Sequence, residues 1–389
     1  MDAKKLFSNK SMCVLPWTGF QLEPSGKVRN CITSQSTLGN INSQDITDIL
    51  NSDRNKKLKQ AMLDDTKPSN CATCHLQELH RNDPTSISSR LYYLKEIGAK
   101  TGTKLYDSVD NFDLRHVDLR WTNSCNQACV YCAPFYSSKW AQELNVVTKS
   151  NKEARQRVKD FVYDKIDQIE NIYLAGGEPM LMKENIQLLE LLKEKNPNCN
   201  IRVNTNLSKT NTGIFDLICW FKNVHWTVSI EATGDEYEYI RYGGSWSEFS
   251  DNIDKIKGLG HKITFNMLHF ILNHKSIFEC VAHLKSLGFE DNSFVIGPLY
   301  TPMHYNILNL PDAMIDSVTD RLRSELDKKP TGYLLNSYEN LLHYYTSTVW
   351  QKQIKNFYEE SKILDQRRNL DSRKIFKDLY EELDANTLE

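Results

Sequence analysis

Apolar and polar positions along the chain fall into three regimes. Between residues 113 and 310, short apolar runs alternate with stretches of helical periodicity. That alternation predicts βα units around a parallel sheet. The expected strands are 115–121, 171–175, 200–205, 224–230, 262–270 and 293–296, with helices expected over 152–167, 184–195, 213–221, 246–257 and 275–287. In folds built of such units, chemistry sits at the carboxyl ends of the strands.

The regime before residue 113 is different. Pro24-Ser25-Gly26-Lys27 is a turn signal between two short strands, so the run from Cys13 to Cys31 reads as a hairpin that brings these two cysteines together at its open end. Residues 45–63 have helical spacing through Ile46, Ile49, Leu50, Leu58 and Met62, and Lys67-Pro68-Ser69-Asn70 breaks it. A helix over 88–100 and a linker containing Gly and Asp lead to a domain boundary near 110–113. The third regime, 311–389, predicts helices over 311–328, 333–362 and 372–383, rich in charge and aromatics. They read either as a cap packed across the barrel or as a solvated appendage.

Composition narrows the class without choosing a function. The 389 residues have 40% hydrophobic and 25% charged content and a formal net charge of -2. No global basic field points to nucleic acid, and no apolar run reaches the length of a membrane span. The first residues, M-D-A-K-K-L-F-S-N-K, lack the apolar core of a signal peptide. The expectation is a cytoplasmic chain with reduced thiols, in which ten cysteines point to metal rather than disulfides.

Seven of those cysteines form two sets. Cys125, Cys129 and Cys132 follow the first barrel strand with the spacing C-x3-C-x2-C. Three thiolates on one tight loop can hold three corners of an iron–sulfur cube, leaving one iron open. A zinc loop or three buried reduced thiols are the plainer readings. Cys13, Cys31, Cys71 and Cys74 make a complete site for iron–sulfur or for zinc. Cys71-Ala-Thr-Cys74-His75 also fits a haem-attachment motif, which the absence of an export signal disfavours. Cys199, Cys219 and Cys280 read as small buried hydrophobes.

A strand ending in C-x3-C-x2-C, with Tyr131 before the third cysteine, resembles the radical S-adenosylmethionine (SAM) superfamily. Gly176-Gly177-Glu178-Pro179 after the second strand strengthens the resemblance, because two glycines let backbone approach a ligand closely. The runs C-V-L-P-W, S-G-K-V-R-N-C and A-M-L-D-D-T-K-P-S-N-C-A-T-C, followed by Glu78, resemble the auxiliary-cluster module called twitch or SPASM, here in front of the barrel rather than behind it. The Asp365-Gln366-Arg367-Arg368 segment resembles a tail found in twitch relatives.

The resemblance implies an α/β fold in three parts: a small α+β cluster-binding module over 1–110, a partial (β/α)6 radical SAM barrel over 113–310, and a helical C-terminal extension over 311–389. It implies that Cys125, Cys129 and Cys132 ligate a SAM-binding [4Fe–4S] cluster. Cys13, Cys31, Cys71 and Cys74 would hold a second, auxiliary [4Fe–4S] cluster, zinc being the rival. Gly176, Gly177 and Glu178 would meet the SAM amino group. Ser229 and Glu231, two apart and so on one face of a strand, would meet its ribose or carboxylate. Arg241 would hold the methionine carboxylate, a task suited to a guanidinium but shared with ordinary surface salt bridges. Tyr131 and Asn204 complete the cofactor-binding set. Thr205, Asn206 and Asn266 are further polar liners, and Ile296-Gly297-Pro298 would offer backbone to adenine. His269, His304 and Tyr305 lie near strand ends and would face substrate or be structural.

The implied activity is reductive cleavage of SAM to a 5′-deoxyadenosyl radical, which takes hydrogen from a peptide or small-molecule substrate. It requires an external low-potential electron donor such as flavodoxin or ferredoxin. The alternative is a non-catalytic iron–sulfur or zinc electron-transfer protein on a degenerate barrel.

Overall fold

The computed structural model describes residues 3–34, 36–79, 88–98, 100–147 and 151–386. Three strands open the chain: β1 (Gly19–Leu22), β2 (Lys27–Arg29) and β3 (Gly39–Asn40). Six more follow: β4 (His116–Leu119), β5 (Asn171–Leu174), β6 (Asn200–Thr205), β7 (Val224–Ser229), β8 (Lys262–His269) and β9 (Phe294–Pro298). The last six are the strands expected from the apolar runs, shifted by a few residues at their ends. The helices Glu184–Lys195 and Trp246–Lys257 fall where periodicity put them. The fold is α/β with a parallel sheet.

Contacts divide the chain into two units. One comprises Met1–Cys125, Pro134–Thr205 and Lys209–Trp226; the other comprises Asn126–Ala133, Asn206–Ser208 and Thr227–Glu389.

In the first unit the strand order is β3-β2-β1-β4-β5-β6. The hairpin β1–β2 forms as expected, with Gln21 opposite Arg29. What the sequence did not announce is that β1 then pairs in parallel with β4, Gly19 to Leu22 against His116 to Leu119. The first three strands therefore extend the parallel sheet, and the linker at 110–113 spans no gap in it. Because side chains alternate across a strand, the register sorts them into two faces. Phe20, Val117, Ile172 and Ile201 share an apolar row, all buried. Gln21, Asp118, Tyr173 and Arg202 share a polar row in register. On that face the Arg120 guanidinium grips Asp118 through two hydrogen bonds of 2.9 Å. The Tyr173 ring lies 5.9 Å from Arg120 and 5.5 Å from Arg202.

The helical stretch expected over 45–63 is two helices, Ile46–Leu50 and Asp53–Leu63. Ser52 breaks it by accepting a hydrogen bond from the Asn55 N–H, an N-cap that restarts the helix. Leu58 and Met62 pack with Val14, Trp17, Ile97 and Tyr106 in a core of their own. Lys59 is wholly buried there, with Nζ donating to the Val109 and Asn111 carbonyls at 3.0 and 2.8 Å. Burial pushes its pKa down to about 8. The predicted linker is thus held to the helix by a buried ammonium.

The second unit carries the parallel pair β8–β9 and the C-terminal helices. The helix expected over 333–362 is two, Gly332–Ser347 and Ile354–Arg368, and 372–383 likewise divides into Ser372–Ile375 and Lys377–Asn386. These helices are not a solvated appendage. Ser337 Oγ receives the Ile296 N–H at 2.9 Å, and Tyr239 donates to Asp365 at 2.9 Å. Among the described residues no helix is long and apolar enough to cross a membrane.

Candidate functional site

The four N-terminal cysteines come from distant turns. Cys13 precedes the short helix Leu15–Thr18, Cys31 follows β2, and Cys71 and Cys74 flank the start of the helix Ala72–Leu79. All four line one small cavity, with Arg90 beside them. The Thr33 hydroxyl lies 3.3 Å from Cys31 Sγ and 3.7 Å from Cys74 Sγ. Burial, then mutual repulsion, raises the Cys13 thiol well above its ordinary range and Cys71 to about 12. Four thiols so placed cannot all ionise unless a cationic group is seated among them. That is the donor set of an iron–sulfur cluster, and four cysteines around one cavity fit a cluster better than a single metal ion.

Arg90 is anchored from two sides. Its Nη1 donates to the Met12 carbonyl at 2.8 Å, and its Nε donates to Glu78 at 3.0 Å, with Nη2 on the other carboxylate oxygen. Burial alone would raise Glu78; the hydrogen bonds from Arg90 and Ser88 outweigh it and hold the carboxyl below its usual range. His75, the residue that completes the haem-like motif, is buried 3.9 Å from Glu78. Among the described residues, no three His, Cys, Asp or Glu side chains close tightly enough for a single metal ion.

The second cysteine set lies on the loop after β4. In the first unit, Ser138 holds Cys125 by its backbone: the Cys125 N–H donates to Ser138 Oγ at 3.0 Å, and that hydroxyl donates to the Cys125 carbonyl at 3.1 Å. The glycine turn packs against the same stretch. Gly176 has φ +113°, a left-handed conformation suited to glycine. A Cβ on Gly177 would lie 2.2 Å from the Ser124 carbonyl oxygen. The Glu178 N–H donates to that oxygen at 2.7 Å. Sequence reasoning picked out both motifs; the structure sets one against the residue before Cys125. The buried Glu178 carboxylate accepts from the Met180 N–H at 3.2 Å and from the Thr205 hydroxyl at 2.7 Å. Asn204 is half-buried on β6, and its Oδ1 is buried without a hydrogen-bond partner.

In the second unit, the Ala128 and Val130 N–H groups donate to the Tyr242 and Ile240 carbonyls, both at 2.8 Å. This pairing brings Cys129 beside Arg241, whose Nη1 lies 3.8 Å from Cys129 Sγ. Arg241 also grips Glu231 at 2.7 and 2.8 Å, and Tyr131 Oη joins both, donating to Glu231 at 2.9 Å and accepting from Arg241 at 2.7 Å. Glu231 and Arg241 are 1% and 3% exposed, so each is paired before any ligand arrives. Burial draws the Glu231 carboxyl up against the pull of Arg241. Burial works against the Arg241 cation most strongly, but Glu231, with Tyr131, Cys129 and Tyr237, together outweighs it and holds the guanidinium above its ordinary range. Burial raises the Cys129 thiol, which Arg241 pulls back, and raises Cys132 to about 12.

The remaining candidates divide. Ser229 is half-exposed at the end of β7, Asn266 is exposed, and a Cβ on Gly297 would meet open space. His269 is wholly buried between the His274 carbonyl at 3.1 Å and the Tyr345 hydroxyl at 3.0 Å, and burial lowers its pKa to about 3. It is a structural histidine. Tyr305 is buried against Phe270 and Phe357, while His304 is half-buried. Cys199 and Cys280 are buried as expected; Cys219 is only half-buried. Arg368 was read only as part of a tail motif. It is buried, donates to the Ala128 carbonyl at 2.9 Å and lies 4.4 Å from the Tyr242 ring. Ser138 carried no signal beyond its place after Ser137, a residue that caps the helix Ser138–Glu143.

The family model of the Radical SAM superfamily matches residues 119–284, and that of an iron–sulfur cluster-binding domain, SPASM, matches residues 13–75. The chain is 27% identical over 190 residues to an uncharacterised protein of Methanocaldococcus jannaschii, covering 46% of this chain and 62% of that one. It is 27% identical over 101 residues to the GTP 3′,8-cyclase of Nautilia profundicola (25% and 30%) and 23% identical over 200 residues to that of Campylobacter lari (49% and 60%). It spans less than two thirds of each. Among solved structures it is similar to anSMEcpe with bound AdoMet, at 15% identity over 56% of this chain and 62% of that one, TM-score 0.43. It is also similar to Streptococcus suis SuiB bound to precursor peptide SuiA, at 13% identity over 56% and 47%, TM-score 0.39. The chain carries a radical SAM domain preceded by a SPASM domain, and with them the means to bind iron–sulfur clusters and SAM.

Proposed function

We propose that this radical SAM superfamily chain cleaves SAM reductively and uses the resulting radical on a peptide or small-molecule substrate. Its parts are the auxiliary-cluster module 1–110, the barrel 113–310 and the helical extension 311–389. Cys125, Cys129 and Cys132 hold the SAM-binding [4Fe–4S] cluster, and Cys13, Cys31, Cys71 and Cys74 hold an auxiliary one. When bound, the three-thiolate cluster and SAM supply one-electron cleavage of a carbon–sulfur bond, giving methionine and a 5′-deoxyadenosyl radical that abstracts hydrogen.

The chain's own residues bind and orient. Gly176 and Gly177 keep side chains out of the turn against 122–124, so the backbone there is free to meet the SAM amino group. Glu178, held by Thr205, presents a fixed carboxylate, and Asn204 offers its unpartnered oxygen. In the other unit Ser229 faces the ribose. Glu231, Arg241 and Tyr131 form one locked group that fixes the loop carrying Cys129 and meets the methionine carboxylate through Arg241. Fixed groups of this kind lower the entropic cost of placing the sulfonium and exclude water from it.

The observation that carries the reading is the packing of the glycine turn onto the residue that precedes Cys125. A test is to purify the protein without oxygen, count iron and sulfide, reduce it and assay 5′-deoxyadenosine from SAM. The expected result is SAM cleavage that Cys129→Ala abolishes. Iron without SAM cleavage would favour the electron-transfer alternative, and zinc at the N-terminal set would remove the auxiliary cluster while sparing the barrel.

A further inference from the structure

A cavity of about 700 Å³ lies in the first unit, against the stretch that leads into Cys125. One wall is Thr122, Asn123 and Ser124, the stretch that runs directly into Cys125. The opposite wall is one face of the helix Lys152–Asp164. Lys152, Arg155 and Lys159 stand on that face at i, i+3 and i+7, so three cations point the same way. Glu184 is the single acid of the lining. Among the described residues Lys152 and Lys159 form no ion pair, and Lys159 lies 5.9 Å from the Trp121 ring. Arg155 donates to the Pro24 carbonyl at 3.2 Å, which ties the helix to the hairpin turn. The rim is apolar: Phe135 is 64% exposed and Val147 87%.

We propose that this cavity is the docking site of the protein's electron donor, a low-potential one-electron carrier protein with an acidic surface. The inference rests on the function proposed above, which requires an electron from outside. Two observations place its entry here. The cavity wall is joined to Cys125 through one peptide bond, and the glycine turn adds no side chain at that point. The surface also joins a cationic helix face to exposed apolar groups at the rim, Phe135 and Val147, a mixture suited to a transient protein contact. A cationic stripe steers an acidic partner by long-range attraction, which speeds encounter more than it tightens the complex. The step is a plain transfer: the reduced carrier loses one electron, the oxidised cluster gains it, and no bond or proton changes hands.

The test compares two reductants on the cluster-loaded protein. Cluster reduction is followed by loss of visible absorbance, with fully reduced flavodoxin or with photoexcited deazaflavin, at low and high salt. The variant is K152E/K159E, which leaves the Arg155 tie to Pro24 intact; K152E/R155E/K159E is the stronger second variant. With flavodoxin the double variant should react at least tenfold more slowly at low salt and lose the salt dependence of the natural protein. With deazaflavin both proteins should react equally. An unchanged flavodoxin rate, or an equal loss with both reductants, overturns the docking proposal and leaves the SAM chemistry standing. A natural protein that deazaflavin reduces but that yields no 5′-deoxyadenosine overturns the function and the docking proposal with it.

Discussion

The two cysteine sets answer the same problem in different ways. The N-terminal set gathers four thiols around one cavity, with the Thr33 hydroxyl near two of them and Arg90, pinned by the Glu78 carboxylate, beside them. The loop after β4 carries three thiols whose neighbours are already matched within each unit: Ser138 on the Cys125 backbone in the first, and Arg241 with Glu231 and Tyr131 beside Cys129 in the second. A complete set of thiols satisfies a cluster by itself. An incomplete set leaves a corner for a ligand, and it needs rigid polar surroundings because the ligand, not the protein, closes the coordination. The difference in cysteine number is thus matched by a difference in what encloses the thiols.

The most severe way to break this comparison is to remove one thiol from each set. Cys129→Ala should end 5′-deoxyadenosine formation and remove roughly half of the bound iron. Cys31→Ala should leave measurable SAM cleavage, and equal loss in both variants would mean the sets are not distinct in role. Next comes the glycine turn. Gly177→Ala forces a methyl group against the Ser124 oxygen, an overpacking that costs about 1–3 kcal/mol in a tight site. It should depress SAM binding, read by calorimetry, before it depresses the melting temperature.

The buried pair is the third test. Glu231→Gln leaves Arg241 buried without a counter-charge, so global stability should fall by about 3–5 kcal/mol in denaturant melts. E231Q/R241M should recover part of that loss; if it does not, the pair serves packing rather than charge balance. The smallest effect belongs to the N-terminal set. Arg90→Met removes a positive charge beside four thiolates, so the auxiliary cluster's potential should move to lower values by tens of millivolts, with the SAM-binding cluster unmoved. Redox titration followed by electron paramagnetic resonance reads both at once.

Much of the fold was legible because its signals are local. Period-two and helical spacing placed β4 to β9 within a few residues, since a strand's alternation is set by neighbours in sequence. The helix break at Ser52 does not show in the apolar spacing because that spacing continues through a cap only hydrogen bonding reveals, and the break between Ser347 and Ile354 does not because Trp350 and the Gln353 N–H donate to Asn309, far off in the chain. Ser138 and Arg368 were equally hidden. One is an ordinary residue at a helix start, and the other reaches the Ala128 carbonyl from the far end of the chain.

By itself the sequence determined the spacing of its cysteines and the order of elements: three thiols on one loop, four more in the first 74 residues, a double-glycine turn after the second barrel strand, and six βα units. Those follow from residue type and short spacing. Only the tertiary structure decided that β1 continues the barrel sheet beside β4, that four turns converge on one cavity, and that Glu231 and Arg241 spend their charges on each other. Each of those depends on the register between segments far apart in the chain, and a pairing at long range is settled by how the whole core packs rather than by anything written at either end of it.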